Sequence, residues 1–225
     1  MRIFITRNLA SDSAFNTILT EAGFQVTGIS LVKFIARPFQ PIPDIDWLFF
    51  YSKNGVKFYF DQITTTNESF PKLAAMGTGT ARMISERGYN VDFIGKGTPV
   101  EIAKAFSKVV KGQRIIFIRA ENSKRSIQKA LPSDTLASER IVYANYPIRN
   151  TAIPPHDVLV FTSPLNASTY FEYNSIAPNQ QVYSLGPTTT EKLHELGIAA
   201  INTAPQPSEV SLANFILQKL KTTFF

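Results

Sequence analysis

Short runs of β-branched and aromatic residues alternate along the chain with segments in which apolar residues recur every three or four positions. The first strand pattern, RIFIT, is followed by SDSAFNTILTEAG, which places four apolar side chains on one helical face: Phe15, Ile18, Leu19 and Ala22. Ser11 or Asp12 is predicted to cap this helix, and Gly23 to end it.

The same alternation continues through the first half of the chain. We predict strands over QVTGISLVKFI, DWLFFYS, KLAAMG and NVDFIG, and helices over NGVKFYFDQ, TARMISERG and VEIAKAFSKVV. The second half is predicted to repeat this order. Strands that alternate with helices are typical of a doubly wound α/β fold with parallel sheets, in which ligands bind at the carboxyl ends of the strands.

The two halves of the chain match each other in sequence. RIFITR at 2–7 aligns with RIIFIR at an offset of 112, which pairs Arg7 with Arg119. DWLFFYSKNGVKFYF aligns with DVLVFTSPLNASTYF at an offset of 111, and MGTGTARMISERG with LGPTTTEKLHELG at an offset of 109. Ordered matches along the whole chain indicate an internal repeat of about 112 residues.

Proline-rich segments occupy equivalent places in the two repeats, ARPFQPIPD at 36–44 and IRNTAIPPHD at 148–157. Because proline disfavours helix and central strand, both are candidate linkers. If the chain crosses between domains at both places, residues 1–36 and 152–225 form a discontinuous α/β domain. Residues 39–147 form a central α/β domain, and 37–38 and 148–151 are the two linkers. Two sequential domains are the alternative.

Composition narrows the possible chemistry. The 225 residues include no cysteine and only two histidines, which excludes disulfides and thiolate metal sites and argues against a zinc enzyme. The net charge of +6 suits an anionic partner, but lysine and arginine are scattered, so we predict no nucleic-acid binding. Without a signal-peptide pattern or an apolar run of ~20 residues, a cytoplasmic protein without membrane contact is expected.

Two glycine-containing segments match nucleotide-binding loops only in part. GTGTAR carries Arg82 where a dinucleotide fingerprint has its third glycine, and GKGTP is not a Walker loop. No nucleotide cofactor is therefore predicted.

Six segments together resemble the uroporphyrinogen-III synthase family, over nearly the whole chain: RIFITR, DWLFFYSKNGVKFYF, AAMGTGTARMISERG, ERIVY, DVLVFTSPLNASTYF and YSLGPTTTEKLHELG. The resemblance implies two α/β domains, the first discontinuous, with a two-stranded connector and the active site in the cleft between them. It implies cyclisation of hydroxymethylbilane to uroporphyrinogen III with inversion of ring D, without metal or other cofactor. Neighbouring tetrapyrrole-pathway enzymes are candidate partners, and a monomer is expected.

The implied substrate carries eight carboxylates, which helix N-termini can bind through their free N–H groups. The repeated strand-to-helix junctions are therefore candidate substrate sites: Ser52, Asn54 and Gly55; Ser163 and Asn166; Gly77, Thr78 and Thr80; Gly186, Thr188 and Thr189. Arg7, at the end of the first strand, is a further candidate. As alternatives, the junction residues are ordinary helix caps and the two paired arginines, Arg7 and Arg119, are surface charges.

The resemblance also places Tyr143 of IVYANYP at the active site. There its phenol would assist departure of the ring-A hydroxyl, by donating a proton or by holding a water that does. Tyr51 stands where the family frequently has threonine, so no side-chain contact with substrate is expected there. His156 and His194 are expected to be solvated.

Two other classes of protein remain open at this stage. One is a non-catalytic two-lobed protein that binds or senses a small molecule, and the other is an enzyme of different specificity on the same scaffold. Fold alone does not separate these classes from a synthase.

Overall fold

The computed structural model describes residues 1–40, 45–63, 70–149 and 151–223. The strands are β1 (Arg2–Ile5), β2 (Gln25–Gly28), β3 (Val32–Ala36), β4 (Trp47–Phe50), β5 (Lys72–Ala75), β6 (Phe93–Ile94), β7 (Ile115–Ala120), β8 (Ala137–Pro147), β9 (Val158–Phe161), β10 (Gln181–Ser184) and β11 (Ile201–Thr203). The α-helices are α1 (Ala14–Glu21), α2 (Lys53–Phe60), α3 (Thr78–Ser85), α4 (Pro99–Val109), α5 (Pro164–Phe171), α6 (Pro187–Glu195) and α7 (Glu209–Thr223).

The strands form two parallel-rich sheets. The five-stranded sheet has the order β11-β10-β9-β1-β2, and the six-stranded sheet has the order β3-β8-β7-β4-β5-β6. Strand β1 pairs in parallel with both β2 and β9, and β4 pairs in parallel with both β5 and β7. The predicted α/β class is confirmed.

The chain divides into two compact units. We call Met1–Lys33 with Tyr146–Phe225 the terminal unit and Phe34–Asn145 the central unit. The chain passes from one unit to the other within β3 and again within β8, which are neighbours in the six-stranded sheet. The linkers 37–38 and 148–151 stay predictions, and Asn150 and positions 41–44 of the proline-rich segments lie outside the described residues.

Helices cover both faces of each sheet. In the terminal unit, Ile3 and Ile5 of β1 are buried in the cluster that includes α1 and α7, whereas Phe4 is buried in the cluster that includes α5 and α6. In the central unit, Phe50 of β4 belongs to the cluster that includes α2 and α3, and Phe49 to the cluster that includes α4. Because both faces of these strands are buried, their sequences are continuously apolar.

Equivalent backbone contacts occur in the two units. In the terminal unit, the Arg2 backbone N–H donates to Asp157 Oδ2 at 2.6 Å. In the central unit, the Arg114 backbone N–H donates to Asp46 Oδ2 at 2.7 Å. The repeat alignment pairs Arg2 with Arg114 and Asp46 with Asp157, so the contacts agree with a duplicated unit. Each contact joins the two halves of the chain, and each sheet likewise combines strands from both halves.

Three local predictions are wrong. The cap of α1 is Ser13, whose Oγ accepts from the Asn16 backbone N–H at 3.3 Å, rather than Ser11 or Asp12. The run QVTGISLVKFI is divided into β2 and β3, which belong to different sheets. The second repeat has only a 3-10 turn at Gln128–Ala130 where the first has α1, because the segment NSKRSIQKALP lacks a full apolar stripe and reaches Pro132.

The interpretation of Arg119 as a surface charge is also wrong, because Arg119 is 1% exposed. Its guanidinium donates to Glu139, to the Ala120 carbonyl at 2.7 Å and to the Glu121 carbonyl at 3.0 Å. Glu139 also accepts from Gln128 Nε2 at 3.1 Å. The hydrogen bond from Arg119 holds the pKa of the Glu139 carboxyl below its usual value.

His156 was expected to be solvated, and the structure corrects this. It is buried against Phe4, at a ring-centroid distance of 5.3 Å, with Nδ1 at the Pro154 carbonyl. Burial lowers the pKa of His156. His194 is exposed, as expected. Among the described helices, none has the length and apolar character required to cross a bilayer.

We expect Glu139→Gln to lower the free energy of unfolding by about 1–3 kcal/mol, because it leaves the buried guanidinium of Arg119 without its counter-charge. The folded-state pKa of Glu139 is lowered, so the stabilisation is present at neutral pH and is lost as the pH falls through that pKa. Urea unfolding of parent and variant, from neutral pH down to about pH 3, measures the difference and its decrease.

The control for this measurement is Glu86→Gln, because Glu86 pairs with the exposed Arg82 one helical turn away. Its effect should stay below about 0.5 kcal/mol. A parent and a Glu139→Gln variant of equal stability at neutral pH would contradict the assigned role of Glu139.

Candidate functional site

The junctions β4–α2 and β9–α5 begin with serine caps. Ser52 Oγ accepts from the Gly55 backbone N–H at 3.0 Å, and Ser163 Oγ accepts from the Asn166 backbone N–H at 3.2 Å. Both serines therefore satisfy one of the N–H groups that a helix start leaves without a partner. A capping serine can also bind substrate, but only through the lone pair or hydrogen of its hydroxyl that capping leaves unused.

At Ser163, that remaining capacity is a single donor. Asn166 Nδ2 also donates to Ser163 Oγ, at 2.9 Å, so both lone pairs of the hydroxyl are used and its hydrogen is left to bind a ligand. Asn166 is buried, and its Oδ1 accepts from the Leu31 backbone N–H at 2.8 Å. These contacts favour a role for Asn166 in orienting Ser163.

At Ser52, the second partner is the phenol of Tyr143. Ser52 Oγ and Tyr143 Oη lie 3.0 Å apart, and either can be the donor. Tyr143 is 5% exposed and its ring stacks on Phe58 at a centroid distance of 5.2 Å. Burial raises the pKa of Tyr143, and the hydrogen bond with Ser52 partly offsets that increase. Two predicted site residues are thus brought together in the central unit.

Two further candidates at β4–α2 are Asn54 and Gly55, in the first turn of α2. Gly55 is buried, and a methyl group in its place would lie 3.5 Å from the Ile118 carbonyl. This is an ordinary van der Waals distance, so packing of α2 on β7 does not require glycine at position 55. The side chain of Asn54 is half-buried.

The junctions β5–α3 and β10–α6 differ from the serine junctions because they begin with glycine. Gly77 and Gly186 have extended backbones that any residue adopts, and neither provides a side-chain cap. A methyl group at Gly77 would meet nothing within 4 Å, and one at Gly186 would meet only Pro207, at 3.9 Å. Packing does not require glycine at either position. Its effect is to leave the N-termini of α3 and α6 uncovered.

Each of these uncovered helix starts contains a buried threonine without a partner. Thr80 is 8% exposed and Thr189 is 3% exposed. Within the described residues neither hydroxyl makes a hydrogen bond, and neither oxygen is sealed from solvent. The neighbouring Thr78 and Thr188 are exposed. Both junctions therefore offer unused hydrogen-bonding groups at a helix N-terminus.

Arg7 forms an ion pair in the terminal unit. Its Nη1 lies 3.0 Å from Glu209 Oε1, at the start of α7, and Glu209 Oε2 accepts from Ser13 Oγ at 2.9 Å. Burial opposes ionisation of Glu209, but hydrogen bonds from Ser13, the Phe15 backbone and Arg7 hold its pKa below the usual value. Arg7 thus joins the β1–α1 loop to α7, and its binding of a substrate carboxylate stays a prediction.

Sequence reasoning missed a group of three hydroxyls beneath the N-terminus of α6. Thr190 Oγ1 lies 2.6 Å from Ser184 Oγ and 2.7 Å from Thr203 Oγ1. A comparison of the repeats could have found this group, because the first repeat has apolar residues where the second has the three hydroxyls. At an offset of 109 these apolar residues are Ala75, Ala81 and Ile94. In the described ranges, no group of three or more histidine or acidic side chains is placed to hold a metal ion.

The model of the family described as uroporphyrinogen-III synthase HemD matches residues 13–214. The chain belongs to this family. All the strand-to-helix junctions of the candidate site lie inside the matched range, whereas Arg7 precedes it. No curated protein sequence matches the chain.

Solved structures of similar proteins agree with this assignment in fold. The uroporphyrinogen-III synthetase from Helicobacter pylori has a TM-score of 0.72 at 20% identity, covering 97% of this chain and 100% of that one. A mutant uroporphyrinogen III synthase from Thermus thermophilus has a TM-score of 0.57 at 15% identity, covering 99% of this chain and 98% of that one. At these identities the likeness shows the fold alone.

Proposed function

We propose that this chain is a uroporphyrinogen-III synthase that cyclises hydroxymethylbilane to uroporphyrinogen III with inversion of ring D. Membership of the family implies a tetrapyrrole substrate. The observation that carries the proposal is the pair of uncovered helix starts at α3 and α6, each with a buried threonine whose hydroxyl has no partner in the described structure.

The helix starts suit carboxylates for a general electrostatic reason. Free backbone N–H groups and the helix dipole favour an anion, and each interaction contributes roughly 0.3–1 kcal/mol. A single such site is weak, but the substrate carries carboxylates on every ring. Several weak contacts can therefore fix a large flexible anion in one bent conformation. Holding that conformation favours the rearranging route over spontaneous closure to the symmetric isomer.

Tyr143 is proposed to assist departure of the ring-A hydroxyl. Ser52 Oγ accepts from the Gly55 backbone, and we propose that its hydroxyl hydrogen points to Tyr143 Oη. The phenol hydrogen is then available to the departing hydroxyl or to a water beside it. Because the pKa of Tyr143 is raised, the phenol is fully protonated at neutral pH. It acts as a hydrogen-bond donor rather than as a strong acid.

A protein that only binds tetrapyrroles would use the same helix starts but would not need a positioned phenol. The hydrogen bond between Ser52 and Tyr143 therefore favours the enzyme over the binding protein.

The experiment that tests the proposed function supplies hydroxymethylbilane to purified, chelator-treated protein without added nucleotide. We expect predominantly the type III isomer, because the chain has no cysteine and no recognisable nucleotide loop on which a cofactor requirement could rest. The products are oxidised to porphyrins and the isomers are separated by chromatography. A spontaneous isomer ratio, with substrate shown to be intact at the start, would exclude the synthase and leave the binding protein and the enzyme of different specificity.

For Tyr143→Phe we expect kcat to fall roughly 10-fold to 1000-fold with little change in KM, since the ring and its stacking on Phe58 are kept and only a donor is lost. Steady-state kinetics of type III formation measure both constants. The control is Tyr173→Phe, because Tyr173 is exposed and bonds to Glu172, and its kinetics should match the parent. An unchanged kcat in Tyr143→Phe would remove the phenol from the mechanism.

For Thr80→Val and Thr189→Val we expect weaker substrate binding, by about 1–3 kcal/mol each, and a larger share of type I isomer. Valine keeps the shape of threonine and removes the hydroxyl proposed to meet a carboxylate. The control Thr20→Val removes an exposed hydroxyl that bonds only within α1. If the Thr80 and Thr189 variants lose stability but keep the parental KM and isomer ratio, both threonines are structural.

A further inference from the structure

Lys53 is the first residue of α2, and its side chain extends across the start of α3. A methyl group placed at Gly79 would lie 3.0 Å from Lys53 Cε and 3.7 Å from Nζ. The exposed ammonium group therefore lies beside the first turn of α3, over a position that has no side chain. Larger residues at position 79 would occupy the space that Lys53 now uses.

The position of this ammonium is electrostatically unfavourable in the protein alone. A cation is repelled by the positive end of a helix dipole, and Lys53 lies at the N-termini of both α2 and α3. Neither helix has an acidic residue in its first turn. Over the described part of the chain, no carboxylate lies within ion-pair distance of Lys53. The local positive charge is thus uncompensated.

The first turn of α3 supplies the other parts of an anion site. Thr80 is buried as a residue, and its hydroxyl, which solvent still reaches, has no partner among the described residues. The backbone N–H groups of Thr78 and Gly79 have no acceptor among the described residues either, because Gly77 provides no cap. The first turn of α3 therefore combines a hydroxyl and two N–H groups that have no acceptor with the ammonium group of Lys53 beside Gly79.

The second repeat lacks this cation. At the position of Lys53 it has Pro164, and at the position of Gly79 it has Thr188. The helix start of α6 therefore offers N–H and hydroxyl groups without a charge, whereas the start of α3 offers a full positive charge as well. Charge-assisted hydrogen bonds are roughly twice as strong as neutral ones.

We infer that Lys53 is a further substrate-binding residue, which binds a substrate carboxylate at the N-terminus of α3 and makes this the stronger of the two glycine-started sites. Gly79 admits the lysine side chain. The identity of the ligand rests on the proposed function, but the anion site itself is defined by the charges and unpaired groups of the central unit.

The test uses benzenehexacarboxylate as a polycarboxylate probe, titrated into the full chain and followed by the amide NMR shifts of Gly79 and Thr80. We expect the Kd to rise at least about 5-fold in Lys53→Gln, and the parental Kd to weaken with added salt. Glutamine has nearly the helix propensity of lysine, so the fold should be kept. Lys57→Gln is the matched control, since Lys57 lies one turn further along α2 and pairs with Asp61; it should leave the Kd within about 2-fold.

A second variant separates binding from stability. Gly79→Ala raises helix propensity by about 1 kcal/mol and displaces the end of Lys53. We expect this variant to be at least as stable as the parent in urea and to bind the probe more weakly. Probe affinities of Lys53→Gln and Gly79→Ala equal to the parent's would overturn the inference.

Kinetics with hydroxymethylbilane distinguish the two proposals. If the parent forms type III isomer and Lys53→Gln raises KM several-fold, both stand. If the parent forms type III isomer and Lys53→Gln matches it in KM and in probe Kd, the inference fails and the synthase stands. If the parent leaves the isomer ratio at its spontaneous value while Lys53→Gln still weakens probe binding, the synthase fails and the anion site stands.

Discussion

Parallel pairing between strands from opposite halves of the chain is the constraint on which the rest of the structure depends. Strand β1 pairs with β9 and β4 pairs with β7, so each sheet is completed by a strand from the other repeat. In a parallel sheet all strands end at the same edge, and the helix that follows each strand begins there. Within each unit, this pairing collects the starts of two helices at one edge, one with a serine cap and one with an uncovered glycine junction.

Duplication supplied equivalent backbones, and the side chains have since diverged in ways that change the chemistry. The serine cap of α5 is oriented by Asn166, whereas the serine cap of α2 contacts a tyrosine. Three hydroxyls lie beneath α6 where alanine and isoleucine lie beneath α3. A symmetric protein would treat both ends of a linear substrate alike. Different side chains on matched helix starts suit the proposed reaction, which inverts only one terminal ring.

Sequence periodicity correctly predicted the helices and strands that depend on a local pattern. It failed for residues whose hydrogen-bonding partner lies far away in the sequence. The fully buried strands are continuous apolar runs, so their type was readable. The choice of Ser13 as the cap of α1 was not, because its hydroxyl also donates to Glu209, 196 positions later. Arg119 looks like any charge at a strand end until Glu139 is placed beside it on the neighbouring strand. The cation at α3 was missed for the same reason, since it depends on where the fold places the Lys53 side chain relative to Gly79.

In the proposed mechanism, the environment of Tyr143 divides the work of the site between positioning and proton donation. A phenol that is buried and has a raised pKa is a poor acid, so it cannot supply most of the barrier reduction alone. We propose that the phenol contributes mainly by having a fixed orientation. Its hydroxyl is hydrogen-bonded to Ser52, and Ser52 is hydrogen-bonded to the Gly55 backbone at the start of α2. The same helix start carries Lys53. The first turn of α2 therefore lies next to both the proposed proton donor and a proposed carboxylate contact, so a substrate bound by Lys53 would be positioned near Tyr143.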